Sequence, residues 1–271
     1  VLNLGVEGMM ITGAVIGFIF AVNTQIPIYG FVCAAIAGAL LSVLFAVLTQ
    51  YIMSNQVATG LGLTMVGLGL SALIGKPYEG IKSPTVSKIE IPILSDIPIL
   101  GPMIFSHDAV VYFSVILVAT VAFVISKTRI GLVLRAVGEN QEAAHALGYK
   151  VIRIRFLAIM FGGATAGIGG AYISLARVPQ WTEGMTAGAG WIALALVVFA
   201  SWKPWRVLLG AYLFGGITVL QLNLQAIGVA IPVEILSMSP YLVTIVVLVG
   251  ISLFGHHTAP GSLARPFHAS Q

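Results

Sequence analysis

The sequence is poor in charge. Only 8% of its 271 residues are Asp, Glu, Lys or Arg, whereas 58% are hydrophobic. An average soluble domain carries about 25% charged residues. A chain with so little charge cannot hide its apolar surface from water, but a lipid bilayer accepts that surface. The composition therefore predicts an integral membrane protein, and the net charge of +4 is no argument for nucleic-acid binding.

Cysteine and the common catalytic motifs are also lacking. Cys33 is the single cysteine, which excludes disulfides and cysteine-based metal clusters, and no metal site is predicted. The phosphate-binding pattern GxxxxGK[ST] does not occur, because the only Gly-Lys pair, Gly75-Lys76, is followed by Pro77. HExxH, GxSxG and CxxC are missing as well. We therefore expect no enzyme activity and no cofactor in this chain.

Apolar runs dominate what is present. Eight of them span, or nearly span, a bilayer: roughly Met9–Val22, Tyr29–Gln50, Val57–Gly75, Ala109–Ile125, Phe156–Ala176, Trp191–Ser201, Val207–Ile227 and Tyr241–Phe254. A spanning helix needs about 20 residues, so the first, sixth and eighth runs must extend, tilt or be broken. The runs lack the alternation of barrel strands. We predict an all-α polytopic membrane protein with about eight spans, some of them short or broken.

Lys and Arg are concentrated in one segment. Lys127–Arg155, called the charged loop below, holds six of the thirteen Lys and Arg residues. Strict alternation of the spans places Lys203, Arg206 and Arg265 on the same side, which the positive-inside rule makes cytoplasmic. The predicted organisation is a transmembrane domain over 1–255 with a cytoplasmic loop at 126–155 and an extracytoplasmic loop at 76–108, followed by a loose cytoplasmic tail at 256–271.

Glycine is frequent within the apolar runs. Gly163 and Gly167 form one pair four residues apart. Small residues at this spacing let helix backbones approach closely, which drives packing in lipid. Glycines also produce flexible or broken helices beside a transport path. The sequence favours packing and leaves the second interpretation open.

The centre of the charged loop reads Glu-Ala-Ala, then three residues, then glycine. Residues 139–147 are mostly helix formers, and Gly148 suits the left-handed end of a helix. Ala143, Ala144 and Leu147 are predicted to form a small apolar face. A short helix of this kind can lie in a groove of a partner, or it can be a solvated connector. The predicted docking residues are Glu139, Glu142, Ala143, Ala144, Leu147 and Gly148.

Three stretches resemble one family of transport proteins. The Glu-Ala-Ala-x-x-x-Gly pattern at Glu142–Gly148 is similar to the coupling-helix signature of bacterial ATP-binding cassette (ABC) importer permeases. RAVGENQEAAHALGY in the charged loop, NLGVEGMM at Asn3–Met10 and GMTAGAGWIALALVVFASWKPW at Gly184–Trp205 resemble the branched permeases for nucleosides and simple sugars, in particular the nucleoside subgroup that depends on basic membrane lipoproteins. The wider signature ends in I-x-L-P, whereas Ile154-Arg155-Phe156-Leu157 here has no proline. The resemblance also implies a further transmembrane segment before Asn3.

The resemblance implies partners and a mechanism. An extracytoplasmic substrate-binding protein would deliver the solute, and two permease subunits, identical or homologous, would form the path in a bacterial cytoplasmic (plasma) membrane. Two ATPase subunits, which hold ATP and Mg, would dock on the coupling helices. The expected solute is a nucleoside or a related compound, with a simple sugar such as ribose as the alternative. A secondary transporter without an ATPase is the rival class, and the scarcity of ionisable residues in the spans argues against it.

Polar residues at two places are predicted to belong to the solute path. Asn3 and Glu7 open a short apolar run, which suggests a broken helix whose N-terminal dipole faces a cavity. In the structural interpretation, Glu7 only stabilises a helix start. Gln221, Asn223 and Gln225 lie within a predicted span. Amides there commonly bond neighbouring helices, but a nucleoside path also needs amide donors and acceptors.

Overall fold

The computed structural model describes residues 1–90, 106–228, 232–254 and 259–267. Ten α-helices follow one another in this part of the chain: α1 (Val6–Thr24), α2 (Pro27–Gln50), α3 (Gln56–Gly75), α4 (Ala109–Lys127), α5 (Arg129–Glu139), α6 (Gln141–Ala146), α7 (Val151–Tyr172), α8 (Ala189–Phe199), α9 (Pro204–Ala226) and α10 (Val233–Phe254). A 3₁₀ turn, Lys76–Tyr78, follows α3, and a π-helical turn, Ile173–Arg177, follows α7. Two short strands, β1 (Lys88–Glu90) and β2 (Ser106–Asp108), pair antiparallel with Ile89 opposite His107. The rest of the predicted outer loop, residues 91–105, and tail residues 256–258 and 268–271 lie outside the described residues.

Six helices in the described part of the chain are long and apolar enough to cross a membrane: α1, α2, α3, α4, α7 and α9. The predicted all-α polytopic fold is confirmed, whereas the count of about eight spans is not. The first and eighth apolar runs extend into their flanks, as expected, because α1 has 19 residues and α10 has 22. The sixth run stays short: α8 has 11 residues, about 16 Å at 1.5 Å per residue.

Helix starts follow from local sequence. The side chains of Asn55 and Asp108 each accept two backbone N–H bonds at the first turns of α3 and α4. These bonds satisfy donors that a helix N-terminus otherwise leaves unpaired. Pro27 and Pro204 stand at the first positions of α2 and α9, where the missing N–H costs nothing.

Helices α1, α2, α3 and α7, called the inner bundle below, pack through glycine. A Cβ atom on Gly163 or Gly167 of α7 would collide with the backbone carbonyl of Gly38 or Ala34 on α2. A Cβ on Gly170 would meet the carbonyl of Met10 on α1. The close helix packing predicted for Gly163 and Gly167 is therefore confirmed.

Helix α1 defines the two ends of the bundle. It runs parallel to α3, because Gly5 lies against Gly60 near the start of both helices. At the other end, Asn23 in the last turn of α1 donates a 3.2 Å hydrogen bond to the hydroxyl of Tyr78, which follows α3. The start of α1 lines one cavity together with Leu134 of the charged loop and Trp202. The starts of α1, α3 and α9 therefore share the charged-loop end of the bundle, and Tyr78 lies at the opposite end.

Helices α4, α9 and α10, called the outer helices below, pack on one another, and α9 and α10 also pack on α8. In the most apolar stretch of α1, 61% of the residues are buried, against 6% in α4 and 6% in α9. Large apolar side chains such as Leu209 and Tyr212 on α9 stand exposed. This surface is suited to lipid or to a second membrane subunit.

Candidate functional sites

The charged loop forms two helices joined by one capping residue. Asn140 ends α5, and its side-chain oxygen accepts hydrogen bonds of 3.1 and 3.0 Å from the N–H groups of Glu142 and Ala143. At the other end of α6, Gly148 adopts φ +85° and donates its N–H to His145 O at 2.8 Å. The predicted short helix and its left-handed glycine terminus are therefore present.

The two faces of α6 differ in exposure. Gln141 is 6% exposed and Ala144 is 2% exposed. Glu142 and Ala143 face outward, and Leu147 is 76% exposed. The single apolar face predicted from Ala143, Ala144 and Leu147 does not form. Successive helix positions lie about 100° apart, and the helix ends at Ala146, so Leu147 no longer follows its spacing.

Ala144 is buried by residues from other parts of the chain. It packs with Val137 of α5, Val151 of α7 and Phe267 of the tail. The Phe267 ring also stands edge-on to the His145 ring, with 5.3 Å between ring centroids. Glu139, the sixth predicted docking residue, is the exposed last residue of α5.

The tail is ordered against the charged loop, so the prediction of a loose tail is wrong for residues 259–267. The Ser262 N–H donates to Gly138 O at 2.9 Å, and the Gln141 N–H donates to Ser262 Oγ at 3.1 Å. The Gln141 side chain donates to Pro266 O at 2.8 Å. These bonds satisfy polar groups that would be costly to bury unpaired, and they hold the tail beside α6.

The same tail contacts α7. The guanidinium of Arg155, in the first turn of α7, donates to Arg265 O at 3.1 Å and to Ser262 O at 3.3 Å. Arg155 is 6% exposed. A buried guanidinium needs such acceptors, because its donors cannot be left unsatisfied away from water. Sequence reasoning missed Arg155 and Gln141, whose partners lie more than 100 residues away.

The Glu7 side chain joins α1 to the start of α8. Its buried carboxylate accepts hydrogen bonds from the Thr186 hydroxyl at 2.5 Å, the Gly188 N–H at 2.9 Å and the Gly190 N–H at 2.6 Å. Glu7 lies in the first turn of α1, but the helix start that it caps is that of α8. An acidic group at a helix N-terminus is favoured by the helix dipole. A Cβ on Gly190 would lie 2.7 Å from Glu7 Cα, so glycine allows the approach.

Helix α8 is a short helix that follows a non-helical segment. Residues 178–188 between the π-helical turn and α8 contain no helix. The Trp191 indole N–H donates to Leu4 O at 3.1 Å, which ties α8 to the chain before α1. Asn3 belongs to the same region: its side-chain oxygen accepts the Gly5 N–H at 2.9 Å, and its amide nitrogen lies 3.5 Å from Met9 Sδ. The polar atoms of Asn3 and Glu7 are thus engaged within the chain.

The three amides of α9 lie elsewhere. Gln221, Asn223 and Gln225 are 17 to 21 positions after Pro204, which places them about 26–32 Å along the helix from the charged-loop end. The Asn223 side chain donates to Val219 O of its own helix at 3.0 Å. Gln225 Nε2 is buried and has no hydrogen-bond partner among the described residues. The structure therefore separates these amides from Asn3 and Glu7, and their contact with a solute stays a prediction.

Known proteins match this chain over almost its whole length. The family described as "Branched-chain amino acid transport system / permease component" matches residues 1–251. A putative glucose ABC transporter permease, TsgC13 of Haloferax volcanii, is 39% identical over 92% of this chain and 82% of its own. The nucleoside ABC transporter permease NupC of Lactococcus lactis is 33% identical over 92% and 82%, and the guanosine ABC transporter permease NupQ of Bacillus subtilis is 33% identical over 98% and 88%. No solved structure matches.

Proposed function

The chain belongs to the branched-chain amino acid transport permease family, and from this premise we propose how it is energised and what it carries. It is a transmembrane permease subunit of an ABC importer and a multi-pass protein of the cytoplasmic membrane. Its relatives include permeases named for nucleosides, guanosine and glucose. Energy comes from separate ATPase subunits, which bind ATP and Mg, and solute comes from an extracytoplasmic binding protein. A second permease subunit completes the path.

The ATPase docks on α6. The observation that carries this proposal is the division of α6 into an anchored face and a free face. Gln141 and Ala144 hold the helix to the protein, while Glu142, Ala143 and Leu147 remain exposed. Small and acidic residues on an exposed short helix allow a groove of the partner to close around it. The concentration of basic residues in the surrounding loop supports a cytoplasmic location.

Charge reversal on the free face tests the docking role. We expect Glu142→Arg to lower the amount of ATPase copurifying with the permease by about tenfold, equivalent to about 1.4 kcal/mol of binding free energy. Gly148→Trp should have a similar effect, because a side chain at φ +85° strains the end of α6. Glu183→Arg is the matched control, since Glu183 is exposed in the segment before α8. Unchanged copurification and ATP-dependent uptake in both variants would contradict the docking role.

The proposed solute is a nucleoside or a related compound. Support comes from the nucleoside and guanosine permeases among the relatives and from the three resembling stretches. A simple sugar is the second candidate, because the relative that is 39% identical is named for glucose. Uptake of labelled guanosine, adenosine, ribose and glucose by cells that carry the whole transporter separates the two. Saturable guanosine uptake that unlabelled adenosine competes for would support the nucleoside proposal, and uptake of glucose alone would overturn it.

The α9 amides and the start of α1 are proposed to serve the path in different ways. Glu7 acts by holding the start of α8 in place, and Asn3 acts by bonding the chain at the start of α1. Gln221, Asn223 and Gln225 offer amide groups on a largely exposed helix. If they contact solute, Gln225→Leu should raise the KM for uptake while leaving copurification of the ATPase unchanged. A lower melting temperature with the same KM would instead assign Gln225 to helix packing.

A further inference from the structure

The tail covers the buried side of α6 in the charged loop. Helix α6 has six residues, and helices shorter than about 12 residues are marginal on their own. Its connection to α7 runs through residues 147–150, all of them exposed. Ser262, Pro266 and Phe267 of the tail add to the buried support that Val137 of α5 and Val151 of α7 give to α6.

We propose that residues 259–267 form a coupling clamp that joins α6 to α7, with Gln141, Arg155 and Phe267 as its positioning residues. This inference rests on the proposed docking of an ATPase on α6. In the clamp, the tail backbone accepts hydrogen bonds from Gln141 on α6 and from Arg155 on α7. Phe267 fills the space between Val137, Ala144 and Val151, one each from α5, α6 and α7.

This arrangement affects how a movement of α6 reaches the membrane helices. When the ATPase pair moves α6, the displacement must reach the membrane helices as a rigid-body motion. Without the tail, α6 would be held to α7 by an exposed turn and by the packing of Ala144 against Val151, and it could rotate and lose part of that displacement. A backbone segment bonded to both helices makes α5, α6 and the first turn of α7 move together. The tail therefore acts as a permanent strut, and it does not need to leave for transport to occur.

Cross-linking tests whether the clamp stays closed. In a Cys33→Ser background, which removes the single native cysteine, the double variant Gly138→Cys and Pro260→Cys is oxidised in membranes that contain the assembled transporter. A Cβ atom on Gly138 would lie 3.8 Å from Pro260 Cβ, a separation that suits a disulfide. We expect a cross-link that leaves ATP-dependent guanosine uptake within about twofold of the reduced form. Failure to cross-link would overturn the contact, and a cross-link that abolishes uptake would show that the tail has to release.

Substitution tests the positioning role. We expect Phe267→Ala and Gln141→Leu to raise the ATP hydrolysed per guanosine transported by about tenfold, while the ATPase still copurifies with the permease. The same ratio is measured with glucose as the second probe solute. Phe113→Ala is the matched control, because Phe113 is 48% exposed on α4. A ratio equal to that of the control would overturn the proposal.

The two proposals fail in different ways. If Glu142→Arg keeps the ATPase bound, docking on α6 is wrong whatever the tail variants do. If Glu142→Arg releases the ATPase but the tail variants hydrolyse and transport in the normal ratio, docking stands and the clamp is wrong. Melting temperatures of the purified complexes in detergent separate a loss of coupling from a loss of folded protein.

Discussion

The most apolar stretches of helices α1 and α9 have the same mean hydropathy, 1.7, yet they occupy opposite environments. In its most apolar stretch α1 is 61% buried, whereas α9 is 6% buried. The difference lies in what faces their glycines. Gly13 of α1 meets the backbone of Gly167, while Gly215 and Gly216 of α9 have nothing from the described residues within 4 Å of an added Cβ. In lipid, apolar character does not decide which helix is inside, but close backbone contact does.

The largest expected effect on stability comes from adding a side chain to a glycine at which two helices of the inner bundle touch. Gly167→Leu places a side chain where Ala34 O already lies, and we expect a loss of at least about 3 kcal/mol in the free energy of unfolding, because overpacking forces backbones apart. Gly216→Leu, in the outer helices, should change it little. The amount of folded protein in detergent and its melting temperature measure both variants, and equal losses would remove the distinction between inner and outer helices.

A second substitution asks whether α8 belongs with the inner bundle. Glu7→Ala leaves the N–H groups of Gly188 and Gly190 without their acceptor, and we expect a loss of about 2–3 kcal/mol from buried unpaired donors. Glu183→Ala is the control, because Glu183 is exposed. Thermal unfolding of the two variants should differ clearly, and identical melting curves would show that Glu7 does not hold α8.

We expect the contact between α9 and α10 to contribute less to the free energy of unfolding than the Glu7 contact does. The rings of Phe214 and Tyr241 meet edge-on at 5.8 Å and 81°. We expect Tyr241→Leu to cost about 1 kcal/mol, the usual value of an aromatic pair. Tyr212→Leu, at a residue that is 60% exposed on α9, serves as the control. A loss from Tyr241→Leu as large as that from Gly167→Leu would place α10 among the tightly packed helices.

The smallest effect is expected on the free side of α9. Gly216→Ala should raise stability by up to about 1 kcal/mol, because alanine is the better helix former and the added methyl group meets open space. Uptake and melting temperature are measured together. Normal stability with lost uptake would reveal that this surface contacts the second permease subunit instead of lipid.

Local features of the molecule were predictable from the sequence. The glycine end of α6 and the short length of α8 follow from residues within a few positions of each other. The Gly163 and Gly167 pair predicted close packing, but only the structure shows that the partner backbones belong to Gly38 and Ala34 of α2. Glycine spacing along one helix indicates that another helix packs closely against it but does not identify that helix.

Long-range contacts were not predictable. The Glu7 carboxylate has its partners 179 to 183 positions away, and the tail was expected to be loose because its composition is polar and contains proline. That tail is ordered because its backbone carbonyls meet Gln141 and Arg155, and composition carries no information about such pairings. The face expected from Ala143, Ala144 and Leu147 failed for a similar reason, since only Ala144 of the three is buried, against Val137, Val151 and Phe267.

The contact between Gln141 and Pro266 also has a consequence in time. The two residues are 125 positions apart, and ribosomes add about 5–20 residues per second. The charged loop is therefore synthesised about 6–25 seconds before the segment that completes its buried face. During that interval α6 lacks its support from Phe267, so an ATPase that docks on α6 as proposed would meet the finished surface only after residues 259–267 have been made. The order of synthesis thereby becomes an order of assembly.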